Sequence, residues 1–317
     1  MNTEKQLPHI PGPVPSEPYR TLIRYFMSNL FQNGTAVSTI VSYGWQLHKL
    51  GIWLTERGIS DPAQVSPTII LEWGEFLRLK YAAQTHKQAV VAARSFFRFL
   101  ADIHVCPNNV AEDVRKFLAT PKTKVTLQRT LTQSEVDALF SVCQSDRHDI
   151  RNLAIMALLL DTGLRASELC AISLQDIDYK NRRIQVVGKG GNQEFVYYSR
   201  KCQEVLEKWL DIRRSMSAPC DKLFVSLGGI SRGEPLTPRG LRIIMKRLGE
   251  HAGVKGVHPH AFRRTFATLR IKKGQSTRGV QRLGRWRNLA TFERYTHALL
   301  TDDEFAKNEA NSYSPLP

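Results

Sequence analysis

One stretch of this chain holds side chains that could together move a phosphoryl group. From His258 to His297 it reads HPHAFRRTFATLRIKKGQSTRGVQRLGRWRNLATFERYTH, with His260 and Arg263 three residues apart, then Trp286, and Tyr295 nine residues after it. Positions i and i+3 share a helix face, so the imidazole and the guanidinium can enter one pocket. The stretch has no Asp/Glu cluster or Cys/His cage to hold a metal. The chemistry this set allows is metal-free: a phenol attacks, guanidinium forks neutralise phosphate oxygens, and an imidazole handles a proton or a hydrogen bond. The same spacing suits a helical hairpin in which Trp286 and Tyr295 only pack. Taken alone, the stretch leaves both readings open.

A second arginine stands far upstream, in RNLAIMALLLDTGLRASELCAISLQDI. The apolar run Leu153–Leu160 reads as a buried helix, stopped at Asp161-Thr162-Gly163 with Gly163 as the left-handed residue. Arg165 then opens a short helix carrying Glu168, again at i+3. A cation placed directly after a buried helix is costly unless an anion receives it. Glu168 in an ion pair, or a phosphate, would serve. Between the two arginine stretches, alternating β-branched residues predict short strands near Gln175–Asp178, Arg183–Val187 and Glu194–Tyr198. The turn Gly188-Lys189-Gly190-Gly191-Asn192 joins the last two, and it lacks the GxxxxGK[ST] spacing and following helix of an ATP-binding loop.

The elements that must position these residues fall into two groups. Residues 1–18 carry five prolines and read as an extended or disordered lead-in. From residue 19 to 118 the apolar residues recur at three and four, predicting a small bundle of four or five helices, with Ser66 and Pro67 opening the third. Residues 119–130 form a basic, proline-containing linker. Residues 131–300 open on a capping box, Thr132 with Glu135, and hold both arginine stretches, the strands, and a helix capped at Thr237 with a basic face of Arg239, Arg242, Lys246 and Arg247. Residues 301–317 read as a short acidic helix and a loose tail. The fold class expected is mainly α with a small β-sheet: an N-terminal helical bundle plus an α+β domain.

Composition narrows the class further. The 317 residues carry a formal charge of +16, with 12 Lys/Arg against 9 Asp/Glu in residues 1–120 and 33 against 20 in residues 121–317. A basic second half points to a polyanion, with nucleic acid ahead of a membrane surface. No apolar run reaches transmembrane length, and the N-terminus has no secretory apolar core. The five cysteines are scattered and never in CxxC spacing, which indicates reduced thiols in a cytoplasm and neither zinc nor a disulfide framework.

HAFRRTFAT resembles the HxxR box of the tyrosine recombinases (the phage integrase family), and LGRWRNLATFERYTHA resembles their closing box, which ends in the nucleophile. TGLRASELC is similar to the family's first arginine box, and the turn after GKG resembles the hairpin that presents its lysine. The helical first half looks like the family's core-binding domain. Departures are small: Trp286 stands where histidine is usual, and Asn192 and Glu194 stand where a second basic residue is frequent. The order of the boxes overturns the packing-only reading.

The resemblance implies a site-specific DNA recombinase that joins Tyr295 to a 3′-phosphate and frees a 5′-hydroxyl, without ATP, metal or other cofactor. Arg165 and Arg263 would bind the phosphate, Lys189 would protonate the leaving oxygen, His260 would take a proton or hold the phosphate, and Trp286 would bond the phosphate or pack the pocket. Glu168 would brace Arg165 or His260. Thr39, Ser42, Lys49, Lys87, Arg94 and Arg98 of the first half, Lys122 and Lys124 of the linker, and Arg239, Arg242 and Lys246 of the later helix would contact DNA. Partners implied are double-stranded DNA with inverted recognition sites, three further copies of the chain in a synaptic tetramer, and an accessory directionality protein, but no membrane. The setting expected is a bacterial cytoplasm, at the nucleoid when acting, with a mobile genetic element favoured over a housekeeping role. Two rival readings are a non-catalytic DNA-binding protein of the same fold and a type IB topoisomerase-like nicking-closing enzyme.

Overall fold

The computed structural model describes residues 7–113, 118, 129–143, 146–188, 191–286 and 292. The chain divides into two compact units, residues 1–125 and 126–317.

In the first unit, helices α1 (Tyr19–Gln32), α2 (Val37–Thr55), α3 (Pro67–Lys80), α4 (Ala83–Asp102) and α5 (described over Val110–Asp113) pack around one apolar core. Trp73, Phe96, Phe97, Leu47 and Ile40 are fully buried in it. The Ser66 hydroxyl accepts from the Ile69 N–H, and Pro67 follows at the first helical position, so α3 starts where its sequence provides a cap. α2 ends before Gly58, whose φ is +75°.

The lead-in behaves differently from its composition. Ile10 and Pro15 are buried, each lying where a glycine of α2 leaves room. A Cβ on Gly44 would sit 2.7 Å from Ile10, and one on Gly51 would sit 2.8 Å from Pro15. The two glycines are seven residues apart and therefore share one helix face. Proline content marks this segment as extended, but the groove that receives it is written in another part of the chain.

The second unit is built on α7 (Arg147–Thr162), which packs against α9 (Arg200–Ser215) and α11 (Pro259–Lys272). The capping box at Thr132 opens α6 (Gln133–Ser141), and Gly163 ends α7 with φ +63°. Next comes α8 (Ala166–Ala171), and then an antiparallel sheet of β1 (Ile177–Asp178), β2 (Arg183–Val187) and β3 (Gln193–Tyr197) in sequence order. β2 and β3 pair with Ile184 opposite Val196, so Ile184, Val186 and Val196 face the core while Val187, Phe195 and Tyr197 face outward. The first strand is shorter than expected, because Leu174–Asp176 closes into a 3₁₀ turn when Asp176 accepts from the Ser173 N–H. Segment Leu223–Val225 is fully buried and bridges to Pro235.

α10 (Pro238–His251), capped by Thr237, lies before α11, and α12 (Thr277–Leu283), capped by Ser276, follows it. The cysteines are free; Cys106, Cys143, Cys170 and Cys202 are buried, and burial pushes the Cys143 thiol up to about 11. No helix of the described residues is long and apolar enough to cross a membrane.

Replacing Gly44 with leucine should displace Ile10 and destabilise the first unit by about 1–3 kcal/mol, the usual cost of overpacking a close contact. Urea unfolding gives the loss, and faster amide exchange across residues 7–18 locates it.

Candidate active site

The site is assembled on α11. Its N-cap is His258, whose Nδ1 accepts from the Ala261 N–H at 3.1 Å, and Pro259 occupies the first helical position. Histidine is outside the usual capping set, so only the proline signalled this helix start. Along the helix, Ala261–Thr268 are buried.

Arg263 is 4 % exposed. Its Nη1 donates to the Gly163 carbonyl, and its Nη2 donates to the Gly284 carbonyl at 2.5 Å. The guanidinium carbon lies 4.2 Å from the centre of the Trp286 ring, a cation–π geometry. Neither glycine tolerates a side chain. A Cβ at Gly163 would meet the Phe266 ring at 2.7 Å, and one at Gly284 would meet the Trp286 ring at 1.7 Å. Trp286 in turn stacks on Phe266 and meets Phe292 edge-on, with centroids 6.2 and 5.1 Å away. Arg263 thus joins the turn after α7 to the turn after α12 over an aromatic floor, and Trp286 is part of that floor.

Arg165 is the N-cap of α8 and not its first helical residue. Glu168 reaches back to it twice: the Arg165 N–H donates to Oε2 at 2.8 Å, and Nη1 donates to Oε1 at 2.5 Å. The ion pair allowed by the sequence is therefore formed, yet the Arg165 side chain stays 36 % exposed. A structural pair and an available guanidinium coexist. Burial opposes ionisation of Glu168, but Arg285, followed by the Arg165 N–H and guanidinium, outweighs it and holds the carboxyl below the ordinary range.

Arg285 had no place in the sequence reading. Its Nη2 donates to Glu168 Oε2 at 2.7 Å, and its carbonyl lies 3.5 Å from Arg165 Nη2. Nothing in a one-dimensional pattern marks it, since its partner is 117 residues away.

His260 is exposed on the first turn of α11. The protein mass around its ring, then Arg263, Arg264, Arg242 and Arg165, lower its pKa from the ordinary imidazole value. His260 thus lies in the field of four guanidiniums: Arg165 at the start of α8, Arg242 on α10, and Arg263 and Arg264 on α11. His258 is lowered as well, by burial first and then by Arg264, His260 and Arg242. The arrangement is a basic basin suited to a phosphate. Among the described residues, no group of three His, Cys, Asp or Glu side chains is placed to hold a metal ion.

Lys189, Tyr295, Lys122 and Lys124 lie outside the described residues. The remaining candidates divide. Arg239, Arg242 and Lys246 are exposed on α10, with Lys246 3.5 Å from Glu250. Lys87 and Arg98 are exposed on α4, and Thr39 and Ser42 are half-buried on α2. Arg94 is bound to Glu112, its Nε 2.6 Å from Oε2, so that guanidinium ties α4 to α5. Lys49 sits over the Trp45 and Tyr81 rings, at 3.6 and 4.5 Å from their centres.

Comparison with known proteins identifies relatives along nearly the whole chain. Residues 129–301 match the phage integrase family, and residues 23–104 match the phage integrase N-terminal SAM-like domain. The chain is 31 % identical to "Tyrosine recombinase XerC" of Roseiflexus sp. (strain RS-1), over 90 % of this chain and 88 % of that protein. It is 28 % identical to the XerC of Vibrio parahaemolyticus, over 90 % of each. A solved structure of the XerH site-specific recombinase bound to its palindromic difH substrate is similar in fold, with TM-score 0.69 and 18 % identity, covering 94 % of this chain and 90 % of that one.

Both histidine shifts are downward, so the unfolded chain binds more protons than the folded one once the pH falls below the ordinary imidazole value of about 6.5. Stability of the second unit should be complete above that value and should decline on acidification towards the folded pKa values. His258→Asn keeps a capping acceptor without a titrating ring, and should flatten part of that slope in urea unfolding measured from pH 7.5 to 5.

Proposed function

This chain belongs to the phage integrase family, the tyrosine recombinases, and as a site-specific recombinase it cleaves and rejoins DNA; we propose that Tyr295 is its nucleophile and that Arg165, Arg263 and His260 receive the scissile phosphate. The observation that carries this assignment is the convergence of two guanidiniums from distant helices on adjacent carbonyls, Arg263 on Gly284 and Arg165 on Arg285. Around them lies a basin of positive charge with a solvent-exposed imidazole.

In this reading the Tyr295 phenol, which titrates near pH 10 when free, attacks a DNA phosphate as His260 takes its proton or holds a phosphate oxygen. Charge developing on the pentavalent phosphorus is stabilised by N–H donors of Arg165 and Arg263, already oriented by Glu168 and by the glycine carbonyls. Lys189 protonates the departing 5′-oxygen, leaving a 3′-phosphotyrosyl link and a free 5′-hydroxyl. The 5′-hydroxyl of a partner strand then attacks that link and releases the tyrosine. The enzyme is thereby restored without ATP. The Trp286 indole has no acceptor and cannot relay protons; its ring backs the Arg263 guanidinium.

The helical domain, residues 19–118, the linker, residues 119–130, and the catalytic domain, residues 131–300, each contact the duplex. Exposed Lys87 and Arg98 of α4, with Thr39, Ser42 and Lys49 of α2, make contacts from the first unit, Arg239, Arg242 and Lys246 of α10 make them from the second, and Lys122 and Lys124 make them from the linker. Arg94, engaged by Glu112, holds α5 in place and is the weakest member of that set. Exchange joins two inverted-repeat sites and four protomers, with residues 301–317 docking on a neighbour and an accessory protein setting direction. The setting is a bacterial cytoplasm, at the nucleoid, serving a mobile element. Neither a non-catalytic binder nor a nicking-closing enzyme is favoured beside this reading.

The protein's own gene with its flanking DNA, carrying suicide nicks tiled across it, is the substrate for the decisive test. Wild type should give a covalent adduct on a denaturing gel, and Tyr295→Phe should give none. Arg263→Ala should slow adduct formation by roughly 100-fold or more, the usual loss when an oriented charge-stabilising donor is removed. Adduct formation by Tyr295→Phe would sink the assignment of the nucleophile. A chain ending at residue 300 should still bind and cleave but should not recombine, read out by product formation on paired sites; undiminished recombination would remove the docking role of residues 301–317.

A further inference from the structure

Arg285 is one of three non-glycine residues with positive φ among the described residues, at +57°. L-residues avoid this region because Cβ crowds the following carbonyl. The side chain is also only 8 % exposed, which is expensive for a guanidinium unless it is paired. Both penalties persist because the side chain turns inward onto Glu168. Its Nη2 lies 2.7 Å from Oε2, and its Nη1 lies 3.8 Å from Glu194 on β3. Nε and Nη1 make no hydrogen bond among the described residues.

Glu168 therefore serves two cations. One oxygen takes Arg165 Nη1, and the other takes both the Arg165 N–H and Arg285 Nη2. With a single guanidinium, a buried carboxylate would form a closed, neutral pair and compete with any phosphate for that guanidinium. With two, Glu168 is divided between them, and the more exposed cation, Arg165, is held without being enclosed in a closed pair. The same residue also fixes the turn from Gly284 to Trp286, whose Gly284 carbonyl accepts from Arg263 and whose Arg285 carbonyl faces Arg165. Glu194 extends the link to β3, and its carboxylate oxygen is 3.2 Å from where a Cβ of Gly188 would stand, at the start of the turn that carries Lys189.

We propose that Arg285 is a positioning residue for strand cleavage: by sharing Glu168 it keeps the Arg165 guanidinium available for the DNA phosphate, and it links that carboxylate to β3 through Glu194. The proposal rests on the reading of Arg165 as a phosphate ligand, and it deepens that reading. It treats the charge balance around Glu168, and not Glu168 alone, as the setting of the site.

The test uses the full chain, single-turnover adduct formation on the suicide DNA, and DNA affinity by footprinting. Arg285→Gly suits the backbone angle and removes the second cation. It should slow adduct formation by roughly 10–100-fold, the range seen when a group orienting a site's direct ligands is lost, with footprinting affinity nearly unchanged. Arg285→Lys, which keeps a charge beside Glu168, should retain most of the rate. The discriminating variant is Arg285→Gly combined with Glu168→Gln. If Arg285 acts by balancing Glu168, removing the carboxylate charge should restore much of the lost rate, whereas a purely structural role predicts a double variant at least as slow as the single one. Wild-type cleavage by Arg285→Gly, or absence of rescue in the double variant, would overturn the proposal. Arg165→Ala separates the two levels: full adduct formation by that variant rejects Arg165 as a phosphate ligand, while its loss beside an unaffected Arg285→Gly rejects only the role of Arg285.

Discussion

The catalytic unit depends on one buried cation, Arg263, that bonds the turn after α7 to the turn after α12. Its guanidinium spans the carbonyls of Gly163 and Gly284 above Trp286. The turns that supply those carbonyls must come close, and closeness requires that both residues lack a side chain. The aromatic ladder of Phe266, Trp286 and Phe292 then fills the space beneath. The packing of three helices and two turns is thus subordinate to holding one guanidinium.

Arg165 is handled by the opposite device. It has a carboxylate at bonding distance, and a third charge, Arg285, prevents that carboxylate from consuming it. Arg263 and Arg165 are therefore held in different ways, one on backbone carbonyls and one on a shared carboxylate. Loss of solvent around their rings lowers the imidazoles of His258 and His260, and the neighbouring positive charges lower them further.

Much of the fold was legible because local chemistry decides it. Ser66, Thr132 and Thr237 cap the helices they precede, and Gly163 takes the left-handed angle its position implies. The mainly helical architecture with a small sheet follows from periodicity alone. In the site, the i+3 relation of Arg165 and Glu168 was readable, while the N-cap role of His258 was not, because histidine is rarely used there. What escaped had partners remote in the chain: Arg285 with Glu168, Arg94 with Glu112, Ile10 in the groove made by Gly44. A pattern read along one dimension finds caps and faces, but not which distant surface a side chain will meet.

Neighbouring helices α10 and α11 carry similar basic residues under very different constraints. On α10, Arg239, Arg242, Lys246 and Arg247 are exposed, and exchanges at such positions usually move stability by less than about 0.5 kcal/mol. On α11, Arg263 and Arg264 are buried in contiguous packing. Drift along α10 is therefore nearly free for the fold, while the same drift one helix later would unseat the chemistry. Lineages descending from such a chain can rewrite an outward-facing surface repeatedly and inherit the reaction centre intact, so novelty accumulates on one helix and ancestry is recorded on the next.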